Sequence, residues 1–568
     1  MNHIRTESTF AAEALLGRMK AAGIDILLAN AGTDFPSIIE AYARSAETGI
    51  AMPEPLIVPH EGVAVGMAHG YYLITGKPAA VMVHVNVGLA NSVMGLINAA
   101  SEAVPILMCS GRTPLTETGR LGSRSSPIHW GQEMRDQAAM IREVVKWDYE
   151  LRYPEQAGPA IDRAMNIAMS EPRGPVYLSL PREALADAAV PGDSRPAYAP
   201  TSYGPPRPEM VALAAEALAR AKRPVVIAQS PEIGPENSNA FEPLASFAER
   251  FALPVVEYWT TRQALPGSHP MNVGREPTPW VRDADVIVVA NAAVPWVAGN
   301  VELDPNCTVI ALGPDPLHQK LPMRSFRIDI SLAGGLNAGL RALDEAMRAM
   351  VPADERFTAR REHVAGQRAA AAEALEKRIA MGSGSPMSPA FVSRCLSDAA
   401  PDAAFFNELG VDPTAMRFEK PGSYFFTPIS GGLGWGVPAA LGAQLADRNR
   451  QMIATVGDGS YMFANPVACH QTAAALKLPV LTVVFNNGIW NAVRRSTLQM
   501  YPDGRAAAAN VMPMTALDPS PDYAAVARAH GAHAERVESG DALPEAIRRA
   551  LAATASGRQA MLEVMVSY

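Results

Sequence analysis

The chain is short of cysteine, has no long apolar run and carries no excess of positive charge. Its four cysteines, Cys109, Cys307, Cys395 and Cys469, are far apart with no Cys-x-x-Cys pair. Neither a zinc site nor a disulfide framework is expected, and scattered thiols fit a reducing compartment. No run reaches the roughly 20 apolar residues that cross a bilayer. The first residues, with Arg5, Glu7 and Glu13, lack the apolar centre of a signal peptide. A soluble, cytoplasmic protein with no membrane partner is expected. Charged residues make up 19% and the net charge is −8, which argues against a nucleic-acid surface. Phosphorylated ligands stay open, because backbone amides and a metal can hold them.

What is present points to α/β architecture. At 568 residues the chain exceeds the about 250–300 residues that one core supports. Short apolar runs alternate with amphipathic stretches, the pattern of parallel sheets flanked by helices. In the first third, 24–29, 79–84, 106–110 and 176–180 read as buried strands, with helices over 35–44 and 62–75. The middle third repeats the pattern with strands at 224–229, 284–289 and 308–312. A charged, alanine-rich helix covers 349–377. Strands at 451–456, 480–486 and 560–566 follow. The reading is three domains, each a mainly parallel sheet flanked by helices: 1–190, 191–345 and 386–568, with a linker helix over 346–385. The proline-rich segment 181–207 closes the first.

The most informative motif is Val456-Gly457-Asp458-Gly459-Ser460, which ends one predicted strand. A second predicted strand runs into Asn486-Asn487-Gly488 one helix-length later. Ligands of open parallel sheets bind outside the carboxyl ends of strands. Here two such ends offer a carboxylate, Asp458, and an amide oxygen, Asn487. Magnesium takes oxygen ligands and commonly bridges to phosphates. Gly457 and Gly459 let backbone approach a diphosphate and leave amides free at a helix start. Either motif alone reads as an ordinary turn. Together, each at the end of an apolar strand, they read as a metal–diphosphate site.

This pattern resembles the signature of thiamine-diphosphate (ThDP) enzymes of the acetolactate synthase, benzoylformate decarboxylase and benzaldehyde lyase group. The resemblance covers nearly the whole chain. It implies a pyruvate-decarboxylase-like fold with a pyrimidine-binding domain, a Rossmann-like central domain and a diphosphate-binding domain, in that order. It implies ThDP and Mg2+ as cofactors, with Asp458, Asn487 and the backbone carbonyl of Ile489 on the metal, and Ser460 beside Asp458 and Gly459 in the cofactor turn. Val58-Pro59-His60-Glu61, followed by an apolar helix, resembles the family's glutamate segment. Glu61 is then the group that shares a proton with the aminopyrimidine ring. Ser430-Gly431-Gly432-Leu433-Gly434 resembles the segment under the bent cofactor, with Leu433 between its rings and the Gly431 carbonyl accepting from the aminopyrimidine.

Further residues follow from the same resemblance. Asn30-Ala31-Gly32-Thr33 is similar to a substrate-contacting turn of benzoylformate decarboxylase, which makes Thr33 a candidate, although Ala31 replaces a proline. The stretch from His84 to Asn91 matches one carrying an active-site histidine, so His84 is a candidate acid–base group; a structural histidine at a strand end is the alternative. Gln132 resembles the glutamine that points at the cofactor in benzaldehyde lyase and acetolactate synthase, and His129 lies three residues earlier. Trp490 and Val493 are placed in the substrate cavity, and Arg494 and Arg495 on the solvated surface.

The central domain departs from the synthases. The turn from Ala228 to Pro235 and the segment Asn272-Val273-Gly274-Arg275-Glu276-Pro277-Thr278-Pro279 lack the glycine-rich flavin fingerprint, so FAD is not expected. The second active-site histidine of benzoylformate decarboxylase has no equivalent near Val294–Asn300. The expected activity is cleavage or formation of the carbon–carbon bond next to a keto group. Acetolactate-synthase-like carboligation of 2-keto acids stands first. Benzoylformate-type decarboxylation is close to it, with aldehyde lyase and 2-hydroxyacyl-CoA lyase chemistry behind. A flavin-linked oxidase is disfavoured by the missing fingerprint, and a non-catalytic ThDP-binding subunit by the presence of Glu61 and Asp458. The family builds one site from the glutamate of one subunit and the diphosphate motif of another, so a homodimer or a dimer of dimers is implied. No nucleic-acid partner is expected.

Overall fold

The computed structural model describes residues 9–189, 199–232, 241–351 and 355–568. The residues just after 189, the Ile233-Gly234-Pro235 end of the central turn, positions 352–354 of the expected linker helix and residues 1–8 lie outside the described residues. Two compact units result. One holds the chain up to Ser202 together with Pro428–Gly432, and the other holds Tyr203–Thr427 with Leu433–Tyr568.

The first unit is built on six parallel strands: β1 (Ile26–Asn30), β2 (Glu54–Ile57), β3 (Ala79–Val83), β4 (Ile106–Arg112), β5 (Asp148–Glu150) and β6 (Val176–Pro181), in the order β2-β1-β3-β4-β6-β5. β3, β4 and β6 are buried at every position, which is why they read as unbroken apolar runs. Each fully buried aliphatic side chain there contributes about 1.5–3 kcal/mol. Glu61–Thr75 is a helix that starts one residue earlier than expected, and Gly76, at φ 66°, ends it. Left-handed backbone at a helix C-terminus favours glycine.

The second unit carries two further parallel sheets. The central one contains β7 (Pro224–Ala228), β8 (Val255–Val256), β9 (Val286–Ala290), β10 (Thr308–Gly313) and β11 (Ile330–Ala333), ordered β11-β10-β9-β7-β8. The last contains β12 (Ala404–Glu408), β13 (Tyr424–Phe426), β14 (Met452–Gly457), β15 (Leu481–Asn486), β16 (His533–Val537) and β17 (Ala560–Met565), ordered β13-β12-β14-β15-β17-β16. Its two edges are finished differently. Backbone of Thr261 and Gln263 bonds β13 through Phe426 and Tyr424. At the other edge, β16 carries an ion pair from Glu535 to Arg549 at 2.6 Å.

The helix expected over 349–377 is two helices, Leu336–Met350 and Glu355–Ala380. Val351 is extended (φ −129°, ψ 101°), as the residue before a proline tends to be. All four cysteines are free, and burial pushes the Cys109 thiol up to about 12. No helix among the described residues is long and apolar enough to cross a membrane.

Candidate active site

In the first unit, β1 and β3 are neighbours, so their carboxyl ends bring Asn30 and His84 to the same rim of the sheet. Glu61 opens its helix, where the positive end of the helix dipole favours a carboxylate, and is 8% exposed. The preceding His60 is extended, and its Nδ1 accepts from the Gly62 amide at 3.1 Å. Both Glu61 oxygens are engaged: Asn30 Nδ2 donates to Oε1 at 2.9 Å and Asn91 Nδ2 to Oε2 at 3.1 Å. These two carboxamides fix the direction of the carboxylate. They lie inside the stretches that sequence reading selected, but that reading gave them no task.

His84 does not end β3 as expected. The strand stops at Val83, and His84 precedes the helix Val85–Ser101 in extended backbone. Its Nδ1 lies 2.5 Å from Asp34 Oδ1, and Asp34 Oδ2 accepts from the Val85 amide at 3.1 Å. The bond to the nearly buried Asp34 carboxylate raises the His84 pKa above the ordinary imidazole value, against the lowering effect of burial. Its Nε2 lies 3.2 Å from Gln132 Nε2; the carboxamide donates to the neutral ring and, with its oxygen turned inward, accepts from the protonated one. Close approach explains two glycines here. A side chain on Gly32 would run into the His84 ring, and one on Gly111 into the Asp34 carboxylate. Sequence reading missed Asp34. The available signal was an acid in the turn after β1, one of the groups that can hold a histidine through Nδ1.

The remaining first-unit candidates stand differently. His129 is buried, accepts from the Ser125 amide at 3.1 Å through Nδ1, and places Nε2 3.4 Å from Arg182 Nη1. Burial, with Arg182 and Arg124 nearby, lowers its pKa. Among the described residues it makes no hydrogen bond to His84 or Gln132. Thr33 is exposed on its turn. Gly431 is left-handed (φ 70°), and its amide donates to the Pro428 carbonyl at 3.0 Å. Asn98, another residue without a task in the sequence reading, accepts from Ser430 Oγ at 2.8 Å and donates to the Gly432 carbonyl at 2.8 Å.

In the second unit, β14 and β15 pair with Gly457 beside Phe485, so Asp458 and Asn487 leave adjacent strand ends. Asp458 begins the helix Asp458–Phe463. Its Oδ1 accepts from the Gly459 amide at 2.8 Å and its Oδ2 from the Gly488 amide at 2.7 Å. One carboxylate thus joins the two motifs. Burial raises its pKa, opposed by the amides of Gly459, Gly488 and Asn487. Asn487 Oδ1 accepts from the Ile489 amide at 3.1 Å, and the Ile489 carbonyl accepts from Asn491 at 2.9 Å. Ser460 is buried, and Leu433 is half-buried. The Trp490 ring lies on Gly459 and meets Phe463 edge-on at 5.8 Å. Val493 is exposed on the helix Asn491–Met500. Arg495 is exposed, as expected. Arg494 is more engaged than the surface reading implied: it donates to Asn510 Oδ1 at 2.5 Å and lies over the Tyr568 ring.

Asp458 suits a hard cation. It is 3% exposed, and among the described residues amides rather than a cation meet its charge. Each oxygen keeps a second lone pair, and Asn487 Oδ1 and the Ile489 carbonyl are oxygen donors at the neighbouring strand end. Among the described residues no three His, Cys, Asp or Glu side chains form a metal cluster. A magnesium ion here would therefore rest on mixed protein oxygens and on ligand phosphates, its usual mode.

Comparison with known proteins decides the family. Three family profiles match in chain order: "Thiamine pyrophosphate enzyme, N-terminal TPP binding domain" over residues 10–140, the central domain over 211–343, and the C-terminal TPP binding domain over 412–564. The chain belongs to the thiamine-diphosphate-dependent enzymes. This ThDP enzyme is 29% identical to a benzoylformate decarboxylase of Pseudomonas aeruginosa over 525 residues, covering 89% of this chain and 90% of that one. It is 24% identical to the acetolactate synthase large subunit of Parasynechococcus marenigrum, over 95% of this chain and 85% of that one. A solved 4-hydroxybenzoylformate decarboxylase of Rhodococcus jostii shares the fold, with a TM-score of 0.79, 23% identity and 99% of each chain covered. The ThDP family to which the chain belongs includes 2-keto acid decarboxylases and carboligases.

Proposed function

We propose that this ThDP enzyme is a magnesium-dependent decarboxylase of 2-keto acids. The observation that carries the reading is the hydrogen-bonded series Asp34–His84–Gln132 on the sheet rim that also holds Glu61. In decarboxylation the bond between the carboxyl carbon and the keto carbon breaks, carbon dioxide leaves, and a proton takes its place. A histidine whose pKa is raised by a buried carboxylate holds a larger protonated fraction near neutral pH and is suited to donate that proton. The benzoylformate decarboxylase relative supports the same reading.

The chain's own groups divide the remaining work. The Glu61 carboxylate, oriented by Asn30 and Asn91, would hold a proton against the pyrimidine ring nitrogen. Leu433 would support the bent cofactor from below, and the Gly431 carbonyl would accept from its amino group. Asp458, Asn487 and the Ile489 carbonyl would hold the metal against the diphosphate, with Gly457, Gly459 and Ser460 lining the turn. Thr33 and Trp490 would border the substrate, and His129, whose Nε2 faces Arg182, would not carry the proton. When bound, ThDP supplies a nucleophilic carbon and an electron sink.

Carboligation to an acyloin or acetohydroxy acid is the second reading, supported by the acetolactate synthase relative. The two are separated by incubating the protein with ThDP, Mg2+ and a panel of 2-keto acids and reading products by mass. Aldehyde and carbon dioxide are expected, and dimeric acyloin products would replace the decarboxylase reading with the carboligase one. His84→Ala is expected to lower decarboxylation at least about tenfold, a floor under the usual contribution of a placed acid–base group, and to leave ThDP affinity nearly unchanged. Unaltered turnover would make His84 a structural histidine.

A further inference from the structure

Glu408 ends β12 and has no exposed surface. Charged side chains are almost never buried so completely without a partner. Among the described residues the partners here are hydrogen-bond donors. Gly434 donates its amide to Oε1 at 2.6 Å and Gly436 to Oε2 at 2.6 Å. The Trp435 amide and the Ser460 hydroxyl add to them. Burial pushes the carboxyl up to about 7 against the pull of these donors.

The donors come from two segments that matter for the cofactor. Gly434 to Gly436 continue the loop that carries Leu433 and begin the helix Gly436–Ala446. Ser460 stands two residues after Asp458, in the helix Asp458–Phe463. The loop also meets that helix through backbone. Gly434 is left-handed (φ 92°), and a side chain on it would strike the Phe463 carbonyl. The Glu408 carboxylate therefore sits where the Leu433 loop, the end of β12 and the Asp458 helix converge. No neutral side chain of its size accepts from amides at both ends, because the carboxamide of glutamine turns its own NH2 toward one of them.

We propose that Glu408 is a positioning residue that ties the Leu433 loop to the Asp458 helix, so that the diphosphate half of the ThDP site is preformed before the cofactor arrives. A cradle held in advance costs the ligand less ordering on binding. The proposal rests on reading Leu433 and Asp458 as cofactor residues, and the experiment separates the two ideas.

ThDP is titrated into the full apo chain in the presence of Mg2+, followed by the fluorescence of its tryptophans. Wild type, Glu408→Gln, Glu408→Asp and Asp458→Ala are compared. Amide hydrogen exchange of residues 431–437 is measured in the same proteins without cofactor. Glu408→Gln is expected to weaken ThDP at least about tenfold, the scale of one charge-assisted hydrogen bond, with kcat at saturating ThDP close to wild type. Exchange over 431–437 should rise while β14 and β15 stay protected. Glu408→Asp, which keeps the charge, should recover part of both effects, and it carries the test if the glutamine variant does not fold. Asp458→Ala should lose ThDP with exchange at 431–437 unchanged. Unchanged affinity in the Glu408 variants, or faster exchange spread over the whole chain with normal affinity in the folded fraction, overturns the proposal. A wild-type chain that binds no ThDP refutes the cofactor reading instead.

Discussion

Replacing Asp34 by asparagine keeps the shape of the side chain and removes one charge from the pair that holds His84. The asparagine Oδ1 can still accept from Nδ1, so the tautomer with a free Nε2 survives. What is lost is the charge that favours the imidazolium. A hydrogen bond to a charged group is worth about 1.5–3 kcal/mol, and one pKa unit corresponds to about 1.36 kcal/mol. The imidazole is partly open to solvent, at 18% of its side-chain surface, which screens the pair. A loss at the low end of that range, about 1.5 kcal/mol, is therefore expected, and the His84 pKa should fall. The sign follows from linkage. The raised folded value gives His84 a stabilising contribution that is full below its ordinary 6.5 and is lost as pH rises through the raised value. Asp34→Asn removes that contribution, so it should destabilise the fold more at pH 5 than at pH 9. The assay is kcat/KM against pH, with the His84 ring followed by NMR titration. The limb that depends on protonated His84 should move to lower pH, with ThDP affinity unchanged. A limb that stays in place, or that moves to higher pH, refutes the Asp34–His84 reasoning.

Glu61→Gln should still bind ThDP but exchange the cofactor's C2 proton far more slowly, because an amide cannot share a proton with the ring nitrogen; normal exchange would remove Glu61 from that role. Asp458→Ala should lose ThDP on gel filtration, and tight stoichiometric retention would refute the metal assignment. If one chain supplies the glutamate and another the diphosphate motif, mixing these two inactive variants should restore part of the activity, and a mixture that stays inactive counts against the homo-oligomeric site. The purified protein should show no flavin absorption, and a stoichiometric yellow chromophore would overturn the reading of the central turn.

Legibility in the sequence followed burial. The strands β3, β4, β9, β14 and β15 were readable because central parallel strands are apolar on both faces. The strands that went unread are short, polar or at an edge. β13 has three residues and β5 has three, while β16 reads His-Ala-Glu-Arg-Val. β12 was missed although it is buried throughout, because its apolar start gives way to Asn407 and Glu408. The same contrast holds at the site. Asp458 and Asn487 stand in compact motifs at strand ends. The partners that aim the candidate groups are distant from them in sequence: Asn30 and Asn91 for Glu61, and Asp34 for His84. No compact motif ties each partner to its group, because tertiary packing sets which carboxamide faces which carboxylate. Glu408 was invisible for the same reason, since a glutamate at the end of an apolar run looks like the start of a loop.

The guarded edges of the last sheet bear on how this chain can meet another protein. An exposed strand edge is a template for uncontrolled pairing. Here the β13 side is already occupied by backbone of residues 261–263, and the β16 side presents Glu535 locked to Arg549 with Arg536 paired to Glu538. Neither side offers a free apolar ladder, so β-strand addition is discouraged at both. Around this sheet a partner would meet helix faces and strand-end loops rather than a strand edge. A sheet guarded in this way keeps its strand-end loops, among them those of Asp458 and Asn487, clear of uncontrolled strand pairing.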